Sequence, residues 1–219
     1  MAKKLILKES GIDGLKYGIT SEGKKYSVRD DRSRYFFPNE WEIFLKQIRP
    51  RNQFIFEALL QTGARIAELL QIKPADFDSS RNTLTLRVTK TKGKLKERMG
   101  KKRTFIVSKQ FSFKLKKYIT SNKIKNNELV FKVGQKSVYV LMRRALVRAG
   151  IKDYWNFSLH NIRKTNGNWL KALGVPAEEI CLRLGHDFNT YLKHYGSSTI
   201  FDRDDRMQMV KILGNMYGF

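Results

Sequence analysis

The chain has 219 residues, of which 41% are hydrophobic and 12% aromatic, and this content is enough to bury a core and excludes a disordered chain. Its 44 lysines and arginines against 20 acidic residues give a net charge of +24, which favours a polyanionic partner, with nucleic acid first. The sequence has no run of about 18 apolar residues and no recognisable signal peptide, and its single Cys181 excludes an internal disulfide.

Residues 1–35 are expected to form a small β-like appendage. Three short runs in this segment alternate in polarity, with glycine-containing turns between them, over residues 4–7, 15–20 and 24–29. We expect the main domain over residues 36–196. A tail of residues 197–219 follows and contains a further helix.

Three helices are predicted at the start of the main domain. Pro38 and a helical spacing of apolar residues predict the first over residues 36–48. The second ends before Gly63, and the third covers residues 65–72. Arg65 stands at the N-terminal end of this third helix, with Glu68 one turn later on the same face.

A basic hairpin is predicted next. Residues 83–89 alternate like a half-buried strand, and residues 103–107 are the expected antiparallel partner. This region holds one acid, Glu97, and nine basic residues: Arg87, Lys90, Lys92, Lys94, Lys96, Arg98, Lys101, Lys102 and Arg103. A solvated hairpin tip is one interpretation, but the density of charge favours contact with phosphate.

The second half of the main domain is expected to be helical, with a short extended piece over residues 129–132. Helices are predicted over residues 110–121, 135–150, 158–173 and 176–185. The stop signal at Gly185 leaves His186 at a helix end. Tyr195 follows nine residues after His186, beyond another short helix.

Several of these residues suit the chemistry of a phosphate diester. His160 and Arg163 are three apart on one helix and project from the same face. Each arginine, Arg65 included, offers a fork of donors that matches two phosphate oxygens. A tyrosine such as Tyr195 has an ordinary pKa of about 10 and becomes a nucleophile when a neighbouring base accepts its proton. A lysine near the phosphate can protonate the leaving oxygen.

Simpler roles are also open for the same residues. Tyr195 could merely pack, with Tyr191 and His194 as nearby decoys, of which Tyr191 is expected in the core. Arg65 could be no more than the ion-pair partner of Glu68. A zinc site is not expected, because the histidines and the cysteine match no common paired-ligand spacing.

The motifs resemble those of the catalytic domain of the tyrosine recombinases, the phage-integrase family. They are Thr62-Gly63-Ala64-Arg65-Ile66-Ala67-Glu68-Leu69, the basic hairpin, His160-x-x-Arg163, Leu184-Gly185-His186 and Tyr195. Their order and relative spacing agree with that family from about residue 36 to residue 195. The resemblance implies a mainly α-helical fold with a small antiparallel β-sheet, of the α+β class.

The resemblance also implies a role for each matching residue. Arg65 and Arg163 would hold the non-bridging oxygens of the scissile phosphate, His186 would donate to the same phosphate, and His160 would assist proton transfer. Tyr195 would attack phosphorus, giving a 3′-phosphotyrosyl bond and a free 5′-hydroxyl. The family's strand exchange needs neither a metal nor another cofactor.

The remaining implied roles fall on the hairpin and its surroundings. In the family a hairpin lysine protonates the leaving oxygen; Lys90 matches that position best, and Lys92 is its rival. Glu68 would support Arg65 rather than react. The expected DNA-binding residues of the hairpin are Arg87, Lys92, Lys94, Lys96 and Arg98.

Taken together, these features predict a site-specific DNA recombinase or integrase of a mobile element or virus. We expect it in the cytoplasm of its own cell or of a host, away from membranes. It would act on double-stranded DNA and assemble there as a dimer or tetramer, with a free monomer also open. A type IB topoisomerase, which shares the chemistry, is the enzymatic alternative, and a catalytically decayed DNA-binding module is the other.

Two features depart from the family pattern, and one stays open. Residues 1–35 are too short and too β-like for the usual helical core-binding domain, so a fragment or a minimal member is expected. After Arg163, the sequence Lys164-Thr165-Asn166-Gly167-Asn168-Trp169 is less typical than the commoner His/Ala-rich versions. The tail helix could dock on a neighbouring protomer or pack on its own chain.

Overall fold

The computed structural model describes residues 8–9, 16–19, 25–28, 34–87, 102–151, 154–195 and 200–216. Helices dominate this part of the chain. They are α1 (Pro38–Lys46), α2 (Pro50–Thr62), α3 (Ile66–Leu69), α4 (Lys109–Ser121), α5 (Gln135–Arg148), α6 (Leu159–Ala172), α7 (Ala177–Leu184), α8 (Phe188–Tyr195) and α9 (Arg203–Leu213). Short 3₁₀ turns cover Pro74–Asp76 and Tyr154–Asn156.

The strands of the described residues form two small antiparallel sheets. The first sheet orders β1 (Lys8–Glu9), β2 (Lys16–Ile19) and β3 (Lys25–Val28) side by side, and the second orders β4 (Phe77–Asp78), β5 (Thr83–Arg87) and β6 (Lys102–Ile106). The predicted strands over 15–20 and 24–29 are present as β2 and β3. The predicted strand over 4–7 lies outside the described residues. The predicted mainly helical fold with a small antiparallel sheet is confirmed.

The two long strands of the second sheet pair antiparallel, as predicted. Leu84 lies opposite Phe105, and Leu86 lies opposite Arg103. Leu84 and Leu86 are fully buried, as expected when the residues of a strand point alternately to the core and to solvent. The tip of this hairpin, residues 88–101, lies outside the described residues.

Helix α3 is shorter than the predicted helix over residues 65–72. Arg65 has extended backbone angles and serves as its N-cap, and the helix ends at Leu69. After Leu69 the amides of Gln71 and Ile72 bond to carbonyls three residues back, each at 3.2 Å, so the α-helical pattern stops. The carbonyl of Ile72 accepts a hydrogen bond from the amide of Val130 at 2.9 Å. That bond holds Val130 beside Ile72, but residues 129–132 belong to none of the described strands.

Helix α6 is buried along most of its length and packs against residues from the N-terminal part of the main domain. The indole of Trp169 donates to the Phe36 carbonyl at 3.0 Å, and the Asn166 amide donates to the Leu60 carbonyl at 2.7 Å. The hydroxyl of Thr165 accepts from the Phe36 amide at 3.0 Å. Because buried polar groups need partners, these bonds fix α6 against α2 and the segment before α1.

Helix α9 packs on its own chain. The side chain of Gln61 on α2 donates to the Leu213 carbonyl at 2.7 Å, and Met209 and Leu213 are fully buried. Among the described residues, the helices are too short or too polar to cross a membrane.

Candidate active site

Arg65 and Glu68 form the first part of the candidate site, at the junction between α2 and α3. Gly63 ends α2 with a left-handed φ of 59°, which turns the chain toward Arg65. The backbone amide of Arg65 donates to Glu68 Oε2 at 3.0 Å, and its guanidinium donates to Glu68 Oε1 at 2.9 Å. The Glu68 side chain is 1% exposed and that of Arg65 is 46% exposed. A buried carboxylate thus holds an accessible guanidinium.

Arg103 of strand β6 shares the same carboxylate. Its Nη2 lies 2.5 Å from Glu68 Oε2, and its Nε donates to the Arg183 carbonyl at 2.9 Å. Burial alone would raise the pKa of the Glu68 carboxyl, but Arg103 and then Arg65 outweigh it and lower that pKa below its ordinary value. Glu68 is therefore ionised at neutral pH and ties the hairpin to Arg65.

Arg163 forms the second part of the site and is only 1% exposed. Its Nη1 donates to the Gly63 carbonyl at 2.9 Å, and its Nη2 donates to the Leu184 carbonyl. The same Nη2 lies 3.1 Å from His186 Nε2, which must accept because a guanidinium can only donate. Burial, with a smaller contribution from Arg65, lowers the pKa of Arg163 to about 9.

Two histidines lie beside these arginines, as predicted. Burial and the charges of Arg163, Lys164 and Arg65 lower the pKa of His160 to about 4. Burial, Arg163 and Arg65 lower the pKa of His186 to about 3. Both imidazoles are consequently neutral at physiological pH when no anion is bound.

Tyr195 is the last residue of helix α8, and its ring is buried. It is 2% exposed, and its ring centroid lies 6.1 Å from that of His186 and 5.6 Å from that of Tyr191. The ammonium of Lys171 on α6 donates to the Tyr195 carbonyl at 2.5 Å. Tyr191 is buried, as predicted for a core residue.

A cavity of about 710 Å³ opens on the exposed side of the site. Arg65 and His160 line it together with Lys136, Tyr139 and Ser158. Cations and hydrogen-bond donors on its wall suit a phosphate group, because charged donors bind phosphate oxygens strongly. Among the described residues, His, Cys, Asp and Glu side chains form no group of three that could hold a metal ion.

The structure brings together six of the predicted site residues, five catalytic candidates and Glu68, from distant parts of the sequence. They are Arg65, Glu68, His160, Arg163, His186 and Tyr195. The candidate lysines Lys90 and Lys92 lie outside the described residues, and so do the predicted DNA contacts Lys94, Lys96 and Arg98. Arg87 ends β5 and pairs with Asp76 at 2.6 Å, with its side chain 43% exposed.

Sequence reasoning missed two residues of the site. Arg103 was grouped with the basic hairpin, but its side chain points inward and is 11% exposed. Its signal was strand alternation, since Arg103 and the buried Phe105 are two apart and share a face. Gly167 was noted only as atypical, and the ring of Tyr195 packs against it.

Comparisons with known proteins agree with this geometry. The structure is similar to that of XerA recombinase, with a TM-score of 0.61 and 19% identity over 81% of this chain and 64% of that chain. For XerH site-specific recombinase bound to its difH substrate, the TM-score is 0.58 and the identity 22%, over 83% of this chain and 56% of that chain. For the catalytic domain of bacteriophage HP1 integrase, the TM-score is 0.55 and the identity 18%, over 74% of this chain and 86% of that chain. These likenesses concern the fold.

The chain spans less than two thirds of the length of the XerA and XerH chains. No curated protein sequence matches it. The model of the phage integrase family, however, matches residues 35–200, which is most of the chain. The resemblance found in the motifs is thereby confirmed, and the chain belongs to the phage integrase family.

Proposed function

We propose that this chain is the catalytic part of a site-specific DNA recombinase or integrase, which cleaves and rejoins DNA through a 3′-phosphotyrosyl intermediate. The observation that carries the proposal is the convergence of Arg65, Arg163, His160 and His186, with Tyr195 beside His186, in a member of the phage integrase family. Paired guanidiniums beside a tyrosine suit the charged transition state of phosphoryl transfer.

In the proposed reaction, Arg65 and Arg163 hold the non-bridging oxygens of the scissile phosphate. The hydroxyl oxygen of Tyr195 forms a bond to phosphorus, and the bond from phosphorus to the 5′-oxygen breaks. His160 assists removal of the tyrosine proton, and His186 donates a hydrogen bond to the phosphate. Ligation runs the same steps backwards, with the 5′-hydroxyl as the nucleophile.

The leaving 5′-oxygen needs a proton, and we assign this role to a hairpin lysine. Lys90 is the first choice, because it matches the strand-end position of the family best, and Lys92, two residues later, is the second. Strand β6 is tied to Arg65 through Arg103 and Glu68, and this link supports the choice of a hairpin residue for the role.

The low pKa values of the histidines belong to the protein without DNA. A phosphate anion between Arg65 and Arg163 favours protonated neighbours, so the pKa of His186 rises from about 3 on binding. The imidazole then gains the proton that it needs in order to donate to the phosphate. Binding should therefore be accompanied by proton uptake.

Double-stranded DNA is the proposed partner, bound as a dimer or tetramer. The net charge of +24 supports this partner because the DNA backbone attracts clustered lysines and arginines. We propose that the hairpin residues contact phosphates away from the scissile bond, namely Arg87, Lys92, Lys94, Lys96 and Arg98.

Covalent trapping on DNA tests the proposal. Nicked duplexes of randomised sequence, in which the cleaved end diffuses away, should yield a protein–DNA adduct whose DNA can be sequenced. Tyr195→Phe should abolish the adduct, while Tyr191→Phe, which alters a buried tyrosine of the same helix, should retain it. An adduct that survives Tyr195→Phe would refute the assignment.

Two other outcomes would redirect the proposal. Relaxation of supercoiled plasmid without recombinant product would identify a topoisomerase of the same chemistry. Salt-sensitive DNA binding with no adduct on any duplex would indicate a DNA-binding module without catalytic activity.

A further inference from the structure

Gly167 occupies a position where a helix normally avoids glycine. It lies in the interior of α6, which runs from Leu159 to Ala172. Glycine at such a position is less favourable than alanine, because it loses more backbone freedom on folding. A glycine here therefore suggests a contact that leaves no room for the side chain of an alanine.

The ring of Tyr195 makes that contact. A Cβ atom added to Gly167 would lie 2.6 Å from Tyr195 Cε1, 2.7 Å from Cζ and 3.0 Å from the hydroxyl oxygen. Contacts this short cannot be accommodated unless the ring moves. The missing side chain of Gly167 thus leaves a notch in α6, and the phenol end of Tyr195 fills it.

The notch lies next to the catalytic arginine of the same helix. Arg163, Gly167 and Lys171 are spaced by four residues and share one face of α6. Arg163 lies one turn before the notch, and Lys171 lies one turn after it. Lys171 donates to the carbonyl of Tyr195 at 2.5 Å and so fastens the end of α8 to α6.

Inside the notch, Tyr195 is covered by the protein, in contrast to the accessible guanidinium of Arg65. Tyr195 is 2% exposed, whereas the Arg65 side chain is 46% exposed and faces the open cavity. The guanidinium of Arg163 donates meanwhile to the carbonyls of Gly63 and Leu184. In-line attack needs the hydroxyl within van der Waals reach of phosphorus. The ring must therefore leave this position before it can react.

We propose that Gly167 is a positioning residue that creates the resting place of the Tyr195 ring, covered by the protein, and that Lys171 helps to hold the ring there. The proposal rests on the proposed role of Tyr195 as nucleophile. Gly167 itself touches no substrate. Its effect is to keep the nucleophile covered until α8 moves.

Chemical nitration of the protein without DNA measures the accessibility of the Tyr195 ring and does not depend on catalysis. Tetranitromethane modifies accessible tyrosine rings, and peptide mass spectrometry locates the product. In the unmodified sequence, Tyr195 should react severalfold more slowly than Tyr139, which is 43% exposed. Gly167→Ala and Lys171→Met should each raise the nitration of Tyr195 severalfold. Gly134→Ala should not, because a Cβ there meets nothing within 4 Å.

Cleavage provides the second readout, on nicked duplexes that trap the adduct. Gly167→Ala should raise the single-turnover rate of adduct formation at saturating DNA and leave the dissociation constant for DNA unchanged. A general structural role would weaken both together. If no protein forms an adduct on any duplex, the proposed function fails, and nitration still decides the position of the ring.

Four results would overturn the proposal. Tyr195 could react as fast as Tyr139 in the unmodified sequence, or remain protected in Gly167→Ala. The adduct of Gly167→Ala could form at an unchanged rate. A slower rate with Tyr195 accessible would show the notch to be the attacking position instead. Should Gly167→Ala not fold, Lys171→Met and the unmodified sequence still give the deciding nitration values.

Discussion

The two halves of the candidate site are prepared for a phosphate to different degrees. At the α2–α3 junction, Arg65 is accessible and is aligned by the buried carboxylate of Glu68. On α6 to α8, Arg163 and Tyr195 are almost completely buried, and the guanidinium of Arg163 is occupied by backbone carbonyls. We call these the open half and the closed half. The open half can meet DNA as it stands, and the closed half must rearrange.

The difference has an electrostatic basis. Arg65 and Arg103 share one carboxylate, so half of their positive charge is compensated. Arg163 is held by carbonyl dipoles, and burial lowers its pKa to about 9, which means that burial disfavours its charged form. A phosphate would offset this effect, because an opposite charge favours the protonated guanidinium. Phosphate binding should therefore stabilise the closed half, while the open half keeps one uncompensated positive charge that attracts the anion.

The largest expected effects come from replacing each arginine by lysine. Arg65→Lys and Arg163→Lys should both slow adduct formation by about 100-fold to 1,000-fold, because an ammonium cannot replace the bidentate fork of donors at the transition state. Their effects on folding should differ. Arg163→Lys should lower the free energy of unfolding by about 2 kcal/mol, since it leaves a buried carbonyl without its donor.

Arg65→Lys is the matched control for folding and should cost less than about 1 kcal/mol, because the Arg65 side chain is 46% exposed. Urea denaturation measures both variants, and single-turnover trapping measures the rates. Equal losses of stability in the two variants would contradict the division into an open and a closed half.

The next largest effect is expected for Glu68→Gln, which should lower the free energy of unfolding by disturbing the open half. The change leaves Arg65 and Arg103 beside each other without their carboxylate, and breaking a buried ion pair on one side costs about 3 kcal/mol. Chemical denaturation at pH 7 gives the number. Glu57→Gln, at the partly exposed pair with Lys114, is the control and should cost less than about 1 kcal/mol. A cost for Glu68→Gln as small as that of the control would show that Glu68 does not hold the two arginines.

Acid should weaken the closed half through His186. Its pKa is about 3 in the fold against an ordinary value of 6.5, so between these values the unfolded chain binds more protons than the folded chain. Stability then rises with pH, and the DNA-free protein should lose stability as the pH falls from 7 to 5. His186→Gln should reduce this slope in urea titrations, and the slope that remains comes from His160, whose pKa is lowered to about 4. An unchanged slope would mean that His186 is already protonated in the fold.

Much of the fold was predictable because its local signals agree. Gly63 and Gly185 both end helices with left-handed backbone, as the stop signals implied. The alternation of residues 83–87 and the apolar spacing of α6 placed the hairpin and the central helix correctly. The length of α3 was wrong, because after Leu69 the chain continues in turns whose amides bond to carbonyls three residues back.

The site was predictable in its residue types and less so in its state. Motif spacing pointed to Arg65, Arg163 and Tyr195 as candidates, and the fold brings them together from separate parts of the chain. No spacing rule shows that Arg163 is buried or that Tyr195 is covered, because both depend on how α6, α7 and α8 pack. Gly167 offered a local signal, an unfavourable residue inside a helix, but its meaning needed the position of the ring.

The smallest expected effect concerns Arg87, at the edge of the open half. Its guanidinium pairs with Asp76 at 2.6 Å, so part of its charge is compensated before DNA arrives. Arg87→Ala should therefore reduce the slope of log affinity against log salt concentration by less than about one unit, the value for a full phosphate contact. Since the side chain is 43% exposed, the free energy of unfolding should change by less than about 1 kcal/mol.

Titration of a labelled duplex at several salt concentrations measures that slope. Arg81→Ala, an exposed arginine in the turn before β5, serves as the control for the loss of one positive charge from the same region. A decrease of a full unit for Arg87→Ala alone would mean that Arg87 leaves Asp76 to bind a phosphate. In that case the open half, too, would rearrange on DNA, and its contrast with the closed half would be one of degree.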